Sequence, residues 1–521
     1  MQAPAACCLF WMMVLVGTTL AVLTLDIVRG PHYYEDIDAR QIEGRATITS
    51  VLYNNVSRGS YYVEVDVGTP AQRQTLFLDT GSSDTWILDS RADLCVTPRL
   101  QQRRFGGCGT TFQPSKSSTF KVAVEDAFNI TYLDRTGASG DYITDTFAIS
   151  GATIPALQIG LASRSSIGSG LMGIGYSVNV ASNSRGNELP PFRYPNVIDK
   201  MLSSGVIKRK AYSLYLNDLS ASTGSIIFGG MDTTKYHGNL LQLPVVPSRY
   251  RNGTTVFAEL SVVMTSVGIT GQAGNVVNFT TTGFKESVLL DSGTTFSYLD
   301  RNLVRSIYDA LNVIDDTDQT GLALIDCAIL ANSPKLTLDY GFGGPNGMIL
   351  RVPIDEVVFN LRTLLNVTED DLPYTGFQST CGFGIYTSDE GDDSLLGDTF
   401  LRSAYVVYDL ESNQIAIGQT NFNSTTSSVI EFLANATSIP EVSGVASSAE
   451  ITQTSIGGLP GVGANPTATG SGRSSTSTGP AATSSGAAAG AVNIPPLDTT
   501  VFRVLGLSIA LMVMGGGMFI L

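Results

Sequence analysis

The sequence predicts an all-β body of two lobes, and three observations carry that prediction: a duplicated carboxylate loop, short alternating apolar runs, and few stretches of helical spacing. The duplication is the strongest. Asp79-Thr80-Gly81-Ser82-Ser83 follows the apolar pair Phe77-Leu78, and 212 positions later Asp291-Ser292-Gly293-Thr294-Thr295 follows Leu289-Leu290. One such triplet means little, since a chain of 521 residues should hold roughly 0.2 to 0.3 by chance. A second mark also repeats. Leu171-Met172-Gly173 lies 94 residues beyond the first aspartate and Leu395-Leu396-Gly397 lies 106 beyond the second. Each half therefore reads as one copy of a common unit, in which an apolar strand delivers an aspartate into a turn of Gly and small hydroxyl residues. Such a turn offers the carboxylate N–H and hydroxyl donors that orient it and keep it ionisable.

Between these marks the pattern is β. Residues 61–67 alternate before the turn Gly68-Thr69-Pro70, and residues 225–228 and 404–408 are short β-branched or aromatic runs. Helical spacing is confined to residues 196–203 and 301–311. The expected lobes are residues 50–215 and 216–422.

These residues carry a family resemblance. Val67-Gly68-Thr69-Pro70, then Phe77-Leu78-Asp79-Thr80-Gly81-Ser82-Ser83-Asp84-Thr85-Trp86, resembles the first active-site region of the pepsin-like aspartic proteases. Phe228-Gly229-Gly230-Met231-Asp232 and Leu396-Gly397-Asp398-Thr399-Phe400-Leu401-Arg402 are similar to the second-lobe signatures of that family. The resemblance runs from about residue 47 to 422, and in layout it is nearest to the fungal glycosylphosphatidylinositol-anchored, yapsin-like group.

The resemblance implies that Asp79 and Asp291 meet across one water at the junction of the lobes. At about 3 Å two carboxylates repel by roughly 5 kcal/mol at an effective dielectric of 20, worth about 4 pKa units, so one proton is shared, as in the pepsin dyad. It also implies that Thr80 and Ser292 cross-bond between the loops, and that Ser82 and Thr294 bond the outer carboxylate oxygens, with Gly81 and Gly293 completing the turns. Tyr132 falls where the family carries the tyrosine of a hairpin flap, with Trp86 as its partner and Thr295 beside the substrate. This flap departs from the family. Leu133-Asp134-Arg135-Thr136 separates Tyr132 from Gly137, which predicts an altered tip. No metal or organic cofactor is expected, the partners are peptide or protein substrates, and a monomer is the expected state.

The ends and the cysteines set the compartment. Residues 5–21 are an almost unbroken apolar run that suits a secretory signal within residues 1–24, and residues 25–49 are a candidate pro-segment. Cys7 and Cys8 lie in the signal, leaving Cys95, Cys108, Cys327 and Cys381, which permit three pairings. One bridge per repeat, Cys95–Cys108 and Cys327–Cys381, is the natural choice, and the resemblance implies the same. With His32 and His237 as the only histidines, zinc ligation and a histidine-based nucleophile are both disfavoured, and His237 is expected in a surface turn. Sequons at Asn55, Asn129, Asn252, Asn278, Asn366, Asn423 and Asn435 favour an N-glycosylated secreted protein.

From residue 423 to 490 the composition turns to Ser, Thr, Ala, Gly and Pro, which predicts an unfolded, O-glycosylated stalk. Small residues around Ser485 and Gly486, a spacer and an apolar tail follow in the order of a glycosylphosphatidylinositol signal, with residues 491–521 removed and the protein held at the plasma membrane or passed to a cell wall. The net charge of −15, from 46 acidic against 31 basic residues, excludes a phosphate-tracking surface, so no nucleic acid is expected. Two other functions use the same marks. A silent peptide-binding or wall-glycoprotein-binding protein would keep the fold but lose an aspartate, and a two-carboxylate glycosidase would want more than the two tryptophans present.

Overall fold

The computed structural model describes residues 23–28, 61–102, 107–184, 192–221, 223–249, 255–365, 368–389, 393–445 and 453–454. Strand β1 (Leu23–Val28) is followed in the first lobe by β2 (Tyr62–Val67), β3 (Gln72–Asp79), β4 (Thr85–Leu88), β5 (Lys121–Thr131), β6 (Gly137–Ile149), β7 (Ala152–Ser165) and β8 (Gly170–Gly173). Strands β2 to β8 form one seven-stranded sheet in the order β2-β3-β8-β4-β7-β6-β5, and β2 also pairs with β6, which folds the sheet onto itself. The alternation in β2 explains its placement. Val63, Val65 and Val67 are buried, while Glu64 and Asp66 face outward and pair with Arg73 at 2.7 and 2.8 Å.

The second lobe repeats the crossing that places the aspartate. In the first, β3 runs parallel to β8 with Asp79 opposite Gly173; in the second, Glu286–Leu290 runs parallel to Ser394–Leu396 with Leu290 opposite Leu396. β8 is antiparallel to β4, as Ser394–Leu396 is to Ser297–Leu299. Then β4 runs parallel to β7, as Ser297–Leu299 does to Ile385–Thr387. A parallel pair needs a long crossover, which is why the two marks of each repeat stand so far apart in sequence.

A third sheet joins the lobes. Strands β9 (Ala211–Tyr215), β10 (Thr223–Phe228) and β12 (Tyr236–Pro244), with β11 (Gly230–Asp232) between the last two, meet strands Ala404–Asp409 and Gln414–Thr420. The order is β1, β10, β9, Ala404–Asp409, Gln414–Thr420, β12, Val442–Val445, so the division expected after residue 215 falls inside a shared sheet. β1 spans the expected junction at residue 24 and forms one edge, antiparallel to β10. Its neighbours in the expected signal and pro-segment lie outside the described residues.

The two helices expected from spacing are present as Val197–Ser203 and Arg301–Leu311. Asn196 caps the first by accepting from Asp199 N, and Asp300 caps the second by accepting from the N–H groups of Asn302 and Leu303. Leu303, Val304, Ile307, Tyr308 and Leu311 form the buried stripe of the longer helix, which ends at Asn312 in the left-handed region with φ 54°. No helix among the described residues is long and apolar enough to cross a membrane.

Two expectations need correction. Residues 423–445, expected to begin a stalk, lie on the body instead: Val429–Glu431 pairs with β11, and Val442–Val445 runs parallel to β12. Phe432 and Ile439 are buried with Tyr236 and Tyr405, Lys208 pairs with Glu431 at 2.5 Å, and Arg209 donates to the Ala436 carbonyl. A few apolar residues in a Ser/Thr-rich stretch suffice to hold it, because partner strands supply the rest of the surface. His237 is exposed, yet it sits on β12 opposite Gln419 rather than in a turn.

Candidate active site

Strand β3 ends at Asp79 and strand Glu286–Leu290 ends one residue before Asp291, so the two parallel crossings aim both carboxylates at the lobe junction. Both side chains are fully buried. The loops hold them alike. Asp79 Oδ1 accepts from Gly81 N at 2.8 Å and Asp291 Oδ1 from Gly293 N at 2.8 Å; Ser82 Oγ and Thr294 Oγ1 donate to the respective Oδ2 atoms.

The loops also hold each other. Thr80 Oγ1 donates to the Leu290 carbonyl at 2.8 Å and accepts from Ser292 N at 2.9 Å. In return Ser292 Oγ donates to the Leu78 carbonyl at 3.1 Å and accepts from Thr80 N at 3.2 Å. Each hydroxyl thus bonds the end of one strand and the loop that follows it in the opposite lobe, and the loops cannot slide without breaking four hydrogen bonds together.

Glycine is required here by proximity. A Cβ on Gly81 would sit 2.6 Å from Asp291 Oδ1, and one on Gly293 would sit 2.3 Å from Asp79 Oδ1. The carboxyl groups are that close to the opposing loop. Burial, and then the charge of Asp291, push the Asp79 carboxyl well above the usual carboxylate range; burial also raises Asp291, opposed by the hydrogen bonds it accepts from Thr294 and Asp79. Two facing carboxyl groups shifted in this way can hold one proton between them.

Above the pair, β5 and β6 form a hairpin. Tyr132, just past β5, is fully buried, and its hydroxyl accepts from Trp86 Nε1 at 2.8 Å. The altered tip is a tight turn in which Tyr132 N donates to Thr136 O and Arg135 N to Tyr132 O, both at 2.8 Å. Asp134 Oδ1 caps it by accepting from Thr136 N at 2.8 Å and Thr136 Oγ1 at 2.6 Å, and Arg135 takes the left-handed backbone with φ 62°. Thr295 is buried behind the second loop, where its carbonyl accepts from Thr399 N at 3.1 Å.

Two groups of supporting residues were not anticipated. Asp84, buried five positions beyond Asp79, accepts at Oδ1 from Tyr142 OH at 2.9 Å and Tyr194 OH at 2.6 Å, and at Oδ2 from Ala181 N at 2.6 Å. It ties the strand leaving the first loop to the base of the hairpin. Beneath the dyad the rings of Tyr212 and Tyr408 stack with centroids 5.0 Å apart. Tyr212 OH donates to Ile174 O at 3.1 Å, and Ile174 N donates to Asp79 O at 2.9 Å; Tyr408 OH donates to Leu290 O at 3.4 Å, the carbonyl that Thr80 also bonds. An acid directly after the first motif and a tyrosine in each central strand were the available signals.

The two bridges are Cys95–Cys108 and Cys327–Cys381, each with Cα atoms 5.1 Å apart. Among the sequons, Asn129, Asn278, Asn423 and Asn435 are exposed, while Asn55, Asn252 and Asn366 lie outside the described residues, as do Ser485 and Gly486. Among the described residues no group of three or more His, Cys, Asp or Glu is clustered to hold a metal ion.

Comparison with known proteins agrees with this geometry. The family described as eukaryotic aspartyl protease matches residues 60–420. The chain is 38% identical over 422 residues to the probable aspartic-type endopeptidase opsB of Aspergillus oryzae, covering 81% of this chain and 80% of that one. It is 34% identical over 391 residues to secreted aspartic protease 3 of Candida albicans, covering 75% and 85%. The fold matches the crystal structure of the aspartic proteinase from Irpex lacteus with a TM-score of 0.53 at 23% identity, over 71% of this chain and 97% of that one. On its matched sequence and its bilobed β fold, the chain belongs to the eukaryotic aspartyl protease family as a pepsin-like protease.

Proposed function

We propose that this protein is a secreted, surface-tethered aspartic endopeptidase that hydrolyses extended peptide segments in acid, with water activated between Asp79 and Asp291. The single observation that carries this reading is the matched holding of two buried carboxylates, each against the glycine of the other loop. A pair poised with one proton between them can take a proton from water at one carboxylate and donate one to the peptide carbonyl oxygen from the other. The product of that step is a tetrahedral diol, with no bond to the enzyme. The proton roles then reverse at the departing nitrogen.

The hairpin suits an extended substrate. A strand-like peptide lying between the dyad and Tyr132 would pair its backbone with the hairpin edge and send alternate side chains to opposite sides. The raised carboxyl groups favour activity in acid, where the singly protonated pair persists. Secretion and tethering rest on the apolar start, the bridges, the sequons and the apolar tail, and they agree with the word "secreted" in the name of the Candida relative.

The test is cleavage of a diverse fluorogenic peptide library by the processed full chain between pH 3 and 7, beside its Asp291→Asn variant and with pepstatin. Acid activity lost in both controls supports the proposal; silence from the folded, processed wild type would favour a peptide-binding protein on this fold.

A further inference from the structure

The hairpin over the dyad carries a feature that peptide hydrolysis does not use. Asn129-Ile130-Thr131 is a glycosylation sequon, and it lies on β5, three residues before Tyr132. Strand alternation divides this segment cleanly. Phe128, Ile130 and Tyr132 turn inward and pack with Trp86, whereas Asn129 is exposed on the outer face. The neighbours of Asn129 across the sheet leave room. It stands opposite Ser139 on β6, which in turn stands opposite Arg164 on β7, and Arg164 is exposed. The Asn129 side-chain amide makes no hydrogen bond among the described residues, unlike that of Asn423, which donates to Asp218 Oδ2. At the strand rise, Asn129 is about 10 Å from the level of Tyr132, on the opposite face.

We propose that Asn129 carries an N-linked oligosaccharide, making the flap a glycosylated hairpin whose glycan admits extended peptides to the cleft and hinders folded proteins. The proposal rests on the secretory reading above. The donor is the lipid-pyrophosphate-linked oligosaccharide of the secretory pathway. Asn129 Nδ2 loses a proton and bonds the anomeric carbon of the first N-acetylglucosamine, while the bond from that carbon to the pyrophosphate oxygen breaks and the lipid pyrophosphate leaves. A peptide threading beneath the inner face meets Tyr132 and never the sugar. A folded substrate presents bulk on both sides of the scissile segment, and that bulk meets a hydrated, branched polymer anchored to the outer face of the flap.

The experiment uses the full chain expressed in a glycosylating secretory host. Glycopeptide mass spectrometry reads occupancy at Asn129, Asn278 and Asn435, and kcat/KM is compared between a folded protein substrate and a short fluorogenic peptide. Samples are wild type before and after endoglycosidase trimming, Asn129→Gln, Thr131→Val, which deletes the sequon but keeps Asn129, and Thr131→Ser, which keeps both.

The proposal predicts occupied Asn129, and a protein-to-peptide ratio of kcat/KM that rises at least about threefold, a barrier change of about 0.65 kcal/mol, on trimming and in both sequon-deleting variants but not in Thr131→Ser. An empty Asn129 with occupied Asn278 and Asn435 overturns it while leaving the secretory reading standing. An occupied Asn129 with an unchanged ratio overturns the filtering role. If no sequon is occupied, the secretory reading falls first and this proposal with it.

Discussion

Substituting Gly293→Ala places one methyl group where the structure has no room and tests the dyad geometry without changing any charge. The new Cβ would stand 2.3 Å from Asp79 Oδ1, 2.7 Å from its Cγ and 3.1 Å from Asp291 Oδ1. Ordinary contact begins near 3.4 Å, so the Asp79 carboxyl must retreat by about 1 Å or the two loops must part. Gly293 does not occupy the left-handed backbone region, so the effect is steric and local. A misplacement of that size at reacting groups costs on the order of 10²-fold in rate. Overpacking should cost about 1–3 kcal/mol of stability as well, leaving the protein folded. The assay is kcat/KM on a fluorogenic peptide at acid pH, with pepstatin affinity and thermal unfolding measured on the same preparation. The expected result is a loss of about 100-fold in kcat/KM with weakened inhibitor binding and a modest fall in Tm. A folded Gly293→Ala enzyme within threefold of wild type would refute the claim that the opposing glycines set the spacing of the pair.

Three further outcomes follow from other parts of the structure. Tyr408→Phe removes the hydroxyl over Leu290 O while keeping the stacked ring, and should lower kcat by about fivefold, the equivalent of one net hydrogen bond, with KM unchanged; an equal change in KM would point to a general structural defect. Ending the chain at residue 422 deletes Phe432 and Ile439 from a buried cluster and should cost about 3–6 kcal/mol, read as a fall in the denaturation midpoint relative to a chain ending at residue 454. Glu259 is pushed up to about 7 by burial and then by the charge of Asp393. Its folded form binds the proton more tightly than the unfolded chain, so its contribution favours folding in acid and is lost as pH rises from about 4.5 to 7, by up to about 3 kcal/mol. In Glu259→Gln, urea unfolding should show a flatter decline across that window; an unchanged slope would remove Glu259 from the account.

The parts of the site that were legible in sequence are those built from short, repeated segments. Each aspartate takes its donors from residues two and three positions ahead, so Asp79-Thr80-Gly81-Ser82 and Asp291-Ser292-Gly293-Thr294 carry most of their geometry within themselves. The two helices were legible from spacing, and their caps Asn196 and Asp300, each accepting from N–H groups two or three positions ahead, are local in the same way. What was missed depends on contacts distant in sequence. Asp84 meets Tyr142, Ala181 and Tyr194, which lie 58, 97 and 110 residues away, and Tyr212 meets Tyr408 only because β9 pairs with Ala404–Asp409. Residues 429–445 were hidden differently. Averaged composition describes them as a polar tract, while the spacing of Val429, Ile430, Phe432 and Ile439 against strands already in place holds them to the body.

The pH dependence of kcat/KM for wild type, Asp79→Asn and Asp291→Asn on one peptide tests the shared-proton dyad most directly. Two buried carboxyl groups holding one proton should give a bell whose limbs belong to the pair and stand about 3–4 pH units apart, and each substitution should remove activity by at least about 10⁴-fold at every pH. A single-limbed profile, or a substituted enzyme within about tenfold of wild type, would contradict a mechanism in which Asp79 and Asp291 act as one unit.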